Sequence, residues 1–311
     1  MPKVAFLLQN LLRRGTQRVA HTLYQYLKNF YDIDVFAGPH ILNADFMPAT
    51  VVNSPPSNLD EYDIVHLHLS NYDWDIPRQE GLRCKLIVTN HQVSPTYTNC
   101  RFPVSVYPRS GFIHIDNPFY LEDVECDSFE INNIISGRPY SLTVGNYSME
   151  KGADIFLSAV ENLNTSSINM VFVGGTDGEY YSEIFNHKFD ILKQRNCTVT
   201  KLPSVSSSEL SALIQNAKAI VHTSRSEAAS LTLIEAQMRC IPIVCLDVGG
   251  NKYTAPCASF LTQTQMHRFP SIFFDRALLA ANANRITERH NPVKIASKYK
   301  ELYDAIAYPN R

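Results

Sequence analysis

The chain has 311 residues, of which 45% are hydrophobic and 19% are charged, and its formal net charge is -2. This length predicts two domains with separate cores, and the near-neutral charge excludes a global field that would draw the protein to nucleic acid or to an anionic membrane. No stretch reaches the roughly 18 uncharged apolar residues of a membrane span. The first apolar run ends at Leu8, which is too short for the core of a signal peptide. We therefore expect a cytoplasmic protein.

Short apolar runs alternate with helical patterns along the whole chain. Such alternation is typical of parallel sheets that are covered by helices on both faces, and it predicts an α/β fold. In chain order the predicted strands are Val4–Leu8, Asp34–Ala37, Asp63–Leu69, Lys85–Thr89, Ser141–Val144, Asn169–Val173, Thr198–Leu202, Ala219–His222 and Pro242–Leu246.

Helical periodicity is clearest near the two ends of the chain. A first helix is predicted to pack on the first strand, because its apolar residues recur at a spacing of three or four. These residues are Val19, Leu23, Tyr26, Leu27 and Phe30. A last helix is predicted over residues 293–307, where Ile295, Tyr299, Leu302 and Ile306 follow the same spacing.

The periodicity fades between residues 116 and 139, where the sequence becomes acidic and rich in Asn, Ser and Gly. Such composition is typical of a link between domains. We therefore predict a first Rossmann-like domain at residues 1–130, a second at 138–290 and a C-terminal helix at 291–311.

The seven cysteines lack any Cys-x-x-Cys pair, so we expect buried thiols in a reducing compartment rather than a zinc or redox site.

Two glutamates stand eight positions apart in the segment after the strand Ala219–His222. Ser230 is a predicted N-cap, so the backbone N–H groups at 230–232 would suit a phosphate. Glu227 in the preceding loop and Glu235 inside the helix would then bracket the ligand, and carboxylates suit the hydroxyls of a sugar or ribose. A solvated loop charge and an ordinary glutamate near a helix start are the alternative, and the spacing alone leaves both interpretations open.

This segment resembles the family-four glycosyltransferases. The Glu-x7-Glu spacing is followed by Ala236–Val244 and by Asp247-Val248-Gly249-Gly250, as in that family. Upstream, Val144–Gly152 is similar to the family's Gly-Arg-Leu-x-x-x-Lys-Gly segment, and Val173-Gly174-Gly175 resembles its next glycine turn. The resemblance implies retaining enzymes with the GT-B fold, in which two Rossmann-like parallel-sheet domains face a cleft and a C-terminal helix crosses back toward the first domain.

The resemblance also implies roles for individual residues. Lys151 would contact the donor diphosphate, Glu227 the hydroxyls of the transferred sugar, and Glu235 the nucleotide ribose. The N–H groups of Ser230 and Leu231 would bind phosphate, and Gly15, Asn146 and Gly174 would complete the donor site. Asn146 stands where the family usually has arginine; Arg13, Arg14 and Arg18 near the first glycine turn are candidates to compensate, or else form a solvated basic edge.

His91 ends a predicted strand, where ligands of open α/β sheets bind, and it resembles the family's Thr-x-His segment. The resemblance implies that His91 helps to position the donor sugar or the leaving phosphate, which makes it a catalytic candidate with Glu227 and Lys151. His66 and His68 share one face of a predicted strand, but a metal site needs a third ligand, so packing is the preferred interpretation. Asn117 is expected to be structural.

Other classes of protein fit the sequence less well. Asp32-Ile33-Asp34 and Asp73-Trp74-Asp75 have the Asp-x-Asp form of metal-dependent transferases, but neither has a supporting pattern. The glycines from Gly174 to Gly178 have the wrong spacing for a dinucleotide site. Two alternatives remain open, namely a non-catalytic sugar-nucleotide binding or scaffold protein and a DNA-modifying glycosyltransferase.

The resemblance thus implies a retaining glycosyltransferase, and the phosphate site at the helix start, without a supported metal cluster, predicts that it needs no metal or cofactor. Its first domain would serve the acceptor and its second the nucleotide sugar, either a UDP-sugar or a GDP-sugar. The acceptor is left open among a glycan, a lipid-linked glycan, a small molecule and a modified nucleic acid. A peripheral membrane contact is a further candidate interaction.

Overall fold

The structure is a computed structural model that describes residues 1–9, 15–39, 47–69, 85–93, 100–121, 124, 128–163, 168–175, 179–272 and 274–309. The chain divides into two compact units. The first contains Met1–Tyr120 and Arg289–Arg311, and the second contains Leu121–Glu288. Arg13, Arg14, Asp73–Asp75, Cys84, Cys126 and the end of the glycine run at Gly178 lie outside the described residues.

The α-helices of the described residues alternate with the strands, as predicted. They are α1 (Gly15–Leu27), α2 (Phe129–Ser136), α3 (Ala153–Glu161), α4 (Glu179–Gln194), α5 (Ser207–Asn216), α6 (Leu231–Met238), α7 (Asn251–Thr254), α8 (Arg276–Arg289) and α9 (Pro292–Ala307). Two 3-10 helices cover Leu59–Glu61 and Gln263–Ser271.

The first unit contains a seven-stranded parallel sheet with the order β3-β2-β1-β4-β5-β6-β7. Its central strands are buried along nearly their whole length, as expected for a parallel sheet covered on both faces. The strands are β1 (Lys3–Leu8), β2 (Asp32–Ala37), β3 (Thr50–Val51), β4 (Ile64–Leu69), β5 (Leu86–Asn90), β6 (Phe102–Ser105) and β7 (Ile113–His114).

The second unit contains a six-stranded parallel sheet with the order β10-β9-β8-β11-β12-β13. Apolar side chains pack in two clusters that include Phe156 and Phe172 in one and Leu142 and Ile220 in the other. The strands are β8 (Tyr140–Val144), β9 (Asn169–Val173), β10 (Val199–Leu202), β11 (Ala219–His222), β12 (Ile243–Leu246) and β13 (Ser259–Leu261). The prediction of two parallel-sheet α/β domains is confirmed.

Helix α1 buries Val19, Leu23 and Leu27, as its spacing predicts. The prediction was wrong for Phe30, which is 51% exposed. The helix ends at Leu27, so Phe30 lies in the following turn and no longer shares the buried face.

The last helix, α9, packs on the first unit, as predicted. The Tyr303 hydroxyl lies 2.5 Å from His66 Nδ1, and Thr89 Oγ1 lies 2.7 Å from His66 Nε2 and 3.0 Å from the Tyr299 hydroxyl. Hydrogen-bonded polar side chains therefore join β4, β5 and α9 inside an otherwise apolar core.

Two segments of the first unit lie side by side where the chain leaves and re-enters it. The Phe119 N–H donates to His290 O at 2.9 Å, and His290 Nδ1 lies 2.7 Å from Asn117 O. Arg289 forms an ion pair with Asp116 at 2.7 Å. Asn117 is 3% exposed, which agrees with the expected structural role.

The second unit begins at Leu121, earlier than the predicted second domain at residues 138–290. Helix α2 lies in the segment 116–139 where the link is predicted, and Ile131 is buried in a core cluster of the second unit. The Ser128 hydroxyl accepts a hydrogen bond from the Ile131 N–H and caps this helix. A short helix with one buried apolar residue gives little periodicity, which explains the difference.

None of the helices in the described parts of the chain is long and apolar enough to cross a membrane.

Cys245 is buried as predicted, whereas Cys240 is exposed, because the helix before it ends at Met238. Asp34, in one of the two Asp-x-Asp tripeptides, accepts a hydrogen bond from the Tyr62 hydroxyl at 2.7 Å. That contact gives this carboxylate a packing role in the first unit.

Candidate functional site

The strand order of the second sheet reverses between β8 and β11. From β8 the chain moves to β9 and β10 on one side, and then returns to place β11 on the other side. Open α/β sheets bind ligands outside the carboxyl ends of the strands at such a reversal. Lys151 follows β8 and Glu227 follows β11, so the structure brings both predicted segments to this edge.

The Lys-Gly turn after β8 rests directly on the segment after β11. Gly152 has a left-handed φ of +68°, and a Cβ there would lie 1.9 Å from Thr223 O. The Thr223 hydroxyl donates to Lys151 O at 3.0 Å. Only glycine fits this approach, and the turn is thereby fixed against the loop that carries Glu227.

Gly174 has a comparable reason to be glycine. A Cβ at this position would lie 1.7 Å from Gly145 O. The Tyr147 N–H donates to Gly175 O at 2.8 Å, so the turns after β8 and β9 are in backbone contact on either side of Asn146. Gly174 therefore shapes the site by letting two backbones meet, and its predicted contact with a donor remains a prediction.

Arg225 makes a further connection between the turn after β8 and the loop after β11. Its backbone N–H donates to Glu150 O at 2.8 Å, and its guanidinium donates to both carboxylate oxygens of Asp154 at 2.6 Å and to Met149 O at 2.6 Å. The sequence does not reveal this pair, because its members are 71 positions apart and neither belongs to a motif. An arginine two residues before Glu227 was the available signal.

Lys151 and Glu227 form an ion pair at the centre of this arrangement. Lys151 Nζ lies 3.0 Å from Glu227 Oε2, with side-chain exposures of 31% and 14%. His222 Nε2 lies 3.4 Å from the same oxygen, and its side chain is 3% exposed. Burial alone would raise the pKa of Glu227, but the charge of Lys151 and the nearby imidazole of His222 outweigh it and lower the pKa to about 2.

Helix α6 begins beside Glu227, as predicted. Ser230 is its N-cap with φ -69° and ψ 120°, and its side chain makes no capping hydrogen bond. The first-turn N–H groups, including that of Leu231, have no partner within the helix and are not capped by Ser230, which leaves them suited to an anion. The Gly250 N–H donates to Glu227 O at 2.9 Å and fixes the loop from the other side.

Glu235 lies apart from this ion pair. It is 2% exposed, and its Oε1 accepts hydrogen bonds from the Ser211 hydroxyl at 2.6 Å and from Arg239 Nε at 3.1 Å. Because it lies one turn inside α6, it meets α5 rather than the loop of Glu227. The ribose role of Glu235 remains a prediction, and the structure gives this carboxylate a packing role as well.

In the first unit, His91 follows β5 and is half-buried. Its Nε2 lies 3.4 Å from Nδ1 of His68, and the two rings stack with centroids 5.7 Å apart. Burial lowers the pKa of His91 to about 3, so His91 is neutral at physiological pH. A neutral imidazole acts through hydrogen bonds rather than charge.

The other two histidines of this stack support the packing interpretation. The His66 and His68 rings stack 4.1 Å apart, which confirms that they share a face of β4. Both nitrogens of His66 are bonded to hydroxyls, as described for α9. In the same unit, Gly15 begins α1 after β1, next to the point where the strand order reverses between β1 and β4.

Comparisons with known proteins agree with this geometry. The family model described as Glycosyl transferases group 1 matches residues 125–256, which include Lys151, Glu227 and Glu235. No curated protein sequence matches the chain.

Several solved structures have a similar fold at low sequence identity. HepE (Alr3699) from Anabaena in complex with UDP and glucose is 15% identical with a TM-score of 0.78, and the match covers 98% of this chain and 100% of that one. A glycosyltransferase from Rickettsia africae is 14% identical, with a TM-score of 0.75 and coverage of 100% and 99%. Sucrose-phosphate synthase from Thermosynechococcus elongatus is 15% identical, with a TM-score of 0.75 and coverage of 98% and 99%.

The matched family model covers the segment in which the sequence resembles the family-four enzymes, and the similar structures extend over both units. Residues 125–256 therefore match the glycosyl transferases group 1 family, and the chain as a whole has the GT-B fold of these structures.

Proposed function

We propose that this chain is a retaining, metal-independent glycosyltransferase that moves a sugar from a UDP-sugar or GDP-sugar to an acceptor. The observation that carries the proposal is the Lys151–Glu227 ion pair of 3.0 Å at the edge where β8 and β11 end. Structures of HepE, which has the same fold, hold UDP and UDP-glucose, so UDP-glucose is the first donor to test. The free thiols among the described cysteines support a cytoplasmic location.

The ion pair suggests how a donor is received. Lys151 and Glu227 neutralise each other in the free chain. A donor diphosphate would draw the ammonium of Lys151, whose long side chain is 31% exposed, while the N–H groups at the start of α6 contribute further positive potential. Glu227 would then offer its carboxylate oxygens to the hydroxyls of the sugar, through hydrogen bonds that are strengthened by its charge.

In the proposed reaction, the bond between the anomeric carbon and the diphosphate oxygen breaks, and its electron pair leaves with the diphosphate. The acceptor oxygen forms the new bond on the same face, and its proton passes to the departing phosphate oxygen. Lys151 and the N-terminus of α6 stabilise the negative charge that develops on the diphosphate. Neutral His91 would donate or accept a hydrogen bond at a sugar hydroxyl.

The test is a release assay with the purified full chain. UDP-glucose and GDP-mannose are each supplied at saturating concentration, with and without EDTA, and nucleoside diphosphate release is measured. We expect one donor to be consumed at a rate that EDTA leaves within twofold, and Lys151→Met to reduce that rate. Activity that EDTA abolishes and Mn²⁺ restores would contradict metal independence.

The stereochemical part has its own measurement. Once an acceptor supports transfer, the anomeric proton coupling in the product NMR spectrum gives its configuration. The same configuration as in the donor is expected for a retaining enzyme. Inverted product would overturn this part of the proposal, and tight nucleotide binding without any turnover would favour a non-catalytic binding protein instead.

A further inference from the structure

His222 is the last residue of β11, and its side chain is 3% exposed. Its Nε2 lies 3.4 Å from Glu227 Oε2, which is long for a hydrogen bond. This nitrogen is buried, and among the described residues it has no hydrogen-bond partner. Buried polar atoms are normally satisfied, so an unsatisfied one beside a functional carboxylate requires an explanation.

The two neighbours of Glu227 Oε2 differ in freedom of movement. Lys151 has four methylene groups between its backbone and its ammonium, and part of its side chain reaches solvent. His222 is short, fully enclosed and fixed at the end of a central strand. Only Lys151 is able to leave Glu227 for a ligand.

Departure of Lys151 would leave Glu227 as a mostly buried carboxylate without a cation. Such a group requires another donor, or it takes up a proton and loses its charge. His222 is already in place to supply that donor. A shift of a few tenths of an ångström would turn the 3.4 Å separation into an ordinary Nε2–H···Oε2 hydrogen bond.

We propose that His222 is the positioning residue of Glu227, and that it holds this carboxylate ionised and oriented when a donor diphosphate takes Lys151. The inference rests on the proposed function, in which Lys151 serves the diphosphate. His222 itself does not touch the sugar. It acts by keeping one carboxylate oxygen occupied, so that the other faces the hydroxyls.

A kinetic experiment tests this role in the full chain with UDP-glucose. We expect His222→Leu, and His222→Met as a second apolar replacement, to lower kcat about tenfold while KM changes less than about twofold. His222→Gln places an amide N–H near the same position and should recover most of kcat. Val221→Ala, a cavity variant at the neighbouring core residue, should lower Tm with kcat within about twofold. Normal kcat in the apolar variants, or no recovery with glutamine, would overturn the proposal.

A second experiment does not depend on activity. In unliganded Lys151→Met protein, Glu227 has lost its lysine, so His222→Leu should lower Tm by about 3 °C more in that background than in the wild type. Equal shifts in the two backgrounds would overturn the role of His222. If the wild type consumes no nucleotide sugar, the proposed function fails, and this thermal cycle still decides whether His222 supports Glu227.

Discussion

Arg225 binds both carboxylate oxygens of Asp154, and this pair connects the loop that carries Glu227 to the helix that follows Lys151. The two side chains are 28% and 31% exposed. A pair at this level of exposure contributes only about 1 kcal/mol to stability. Its importance lies in its position, since it adds a side-chain link between the two loops whose charges meet at 3.0 Å.

We therefore expect Arg225→Lys to affect activity more than stability. A lysine has one nitrogen in place of the planar fork by which Arg225 binds both oxygens of Asp154 and Met149 O, so we expect the two loops to be held less firmly. We expect kcat/KM to fall about tenfold and the free energy of unfolding by about 1 kcal/mol, measured by kinetics and urea denaturation. Arg195→Lys is the matched control, because its ion pair with Glu161 lies on an exposed surface. Equal losses of kcat/KM in both variants would contradict this role.

Glu227→Gln keeps the shape of the side chain and removes its charge. If its hydrogen bonds to the sugar strengthen in the transition state, turnover should fall about 30- to 150-fold. Affinity for free UDP should rise about threefold, because Lys151 no longer has to leave a charged partner. Isothermal titration calorimetry and initial rates measure the two effects. Unchanged turnover would remove Glu227 from the reaction.

Glu235→Gln should behave differently, because Glu235 is buried against Ser211 and Arg239. Losing its charge leaves a guanidinium whose side chain is only 9% exposed without a full counter-ion. We expect the free energy of unfolding to fall by about 1 to 3 kcal/mol in urea titrations. If Glu235 also binds ribose, UDP affinity should fall while saturated turnover changes less. Lower stability with unchanged UDP affinity would leave only the packing role.

Four histidines of the first unit, His66, His68, His91 and His290, predict a pH-dependent stability. Burial lowers the pKa of His66 and His91 to about 3 and that of His290 to about 4, and it also lowers the pKa of His68 well below its usual value. Unfolded histidines bind a proton below about pH 6.5, so the unfolded state holds more protons between pH 6.5 and about 4. Stability should therefore fall as the pH falls through this window.

Each such proton adds about 1.4 kcal/mol per pH unit to the slope of the free energy of unfolding against pH. Urea denaturation at pH 7, 6 and 5 measures the total slope. His66→Gln retains polar groups for Tyr303 and Thr89 but does not titrate. The free energy of unfolding of this variant should therefore depend less steeply on pH, by the contribution of about one proton. A variant slope equal to that of the wild type would show that His66 does not resist protonation.

The central strands were predictable because each is a continuous apolar run, which a parallel sheet buried on both faces requires. The strands that the sequence did not reveal are short. Thr50–Val51, Ile113–His114 and Ser259–Leu261 lie at sheet edges, and Phe102–Ser105 contains a proline. Edge strands bury few residues, so they leave little pattern to detect.

The candidate site was only partly predictable for a related reason. Motifs identified Lys151 and Glu227 separately, but their contact joins residues 76 positions apart. His222 and Arg225 act through that contact, so their importance depends on how the strands are ordered in the sheet. For Glu235, periodicity placed it in a helix but could not tell which neighbouring element would cover its side chain.

The first unit is assembled from two stretches of sequence that are separated by the entire second unit. A ribosome delivers residues 289–309 only after the second unit, so His66 has no Tyr303 beside it until synthesis reaches α9. Domains usually complete their folds in the order in which they are made. In this chain the order is reversed. The described strands of the second unit are all synthesised before the first unit receives α9, the helix whose Tyr303 contacts His66.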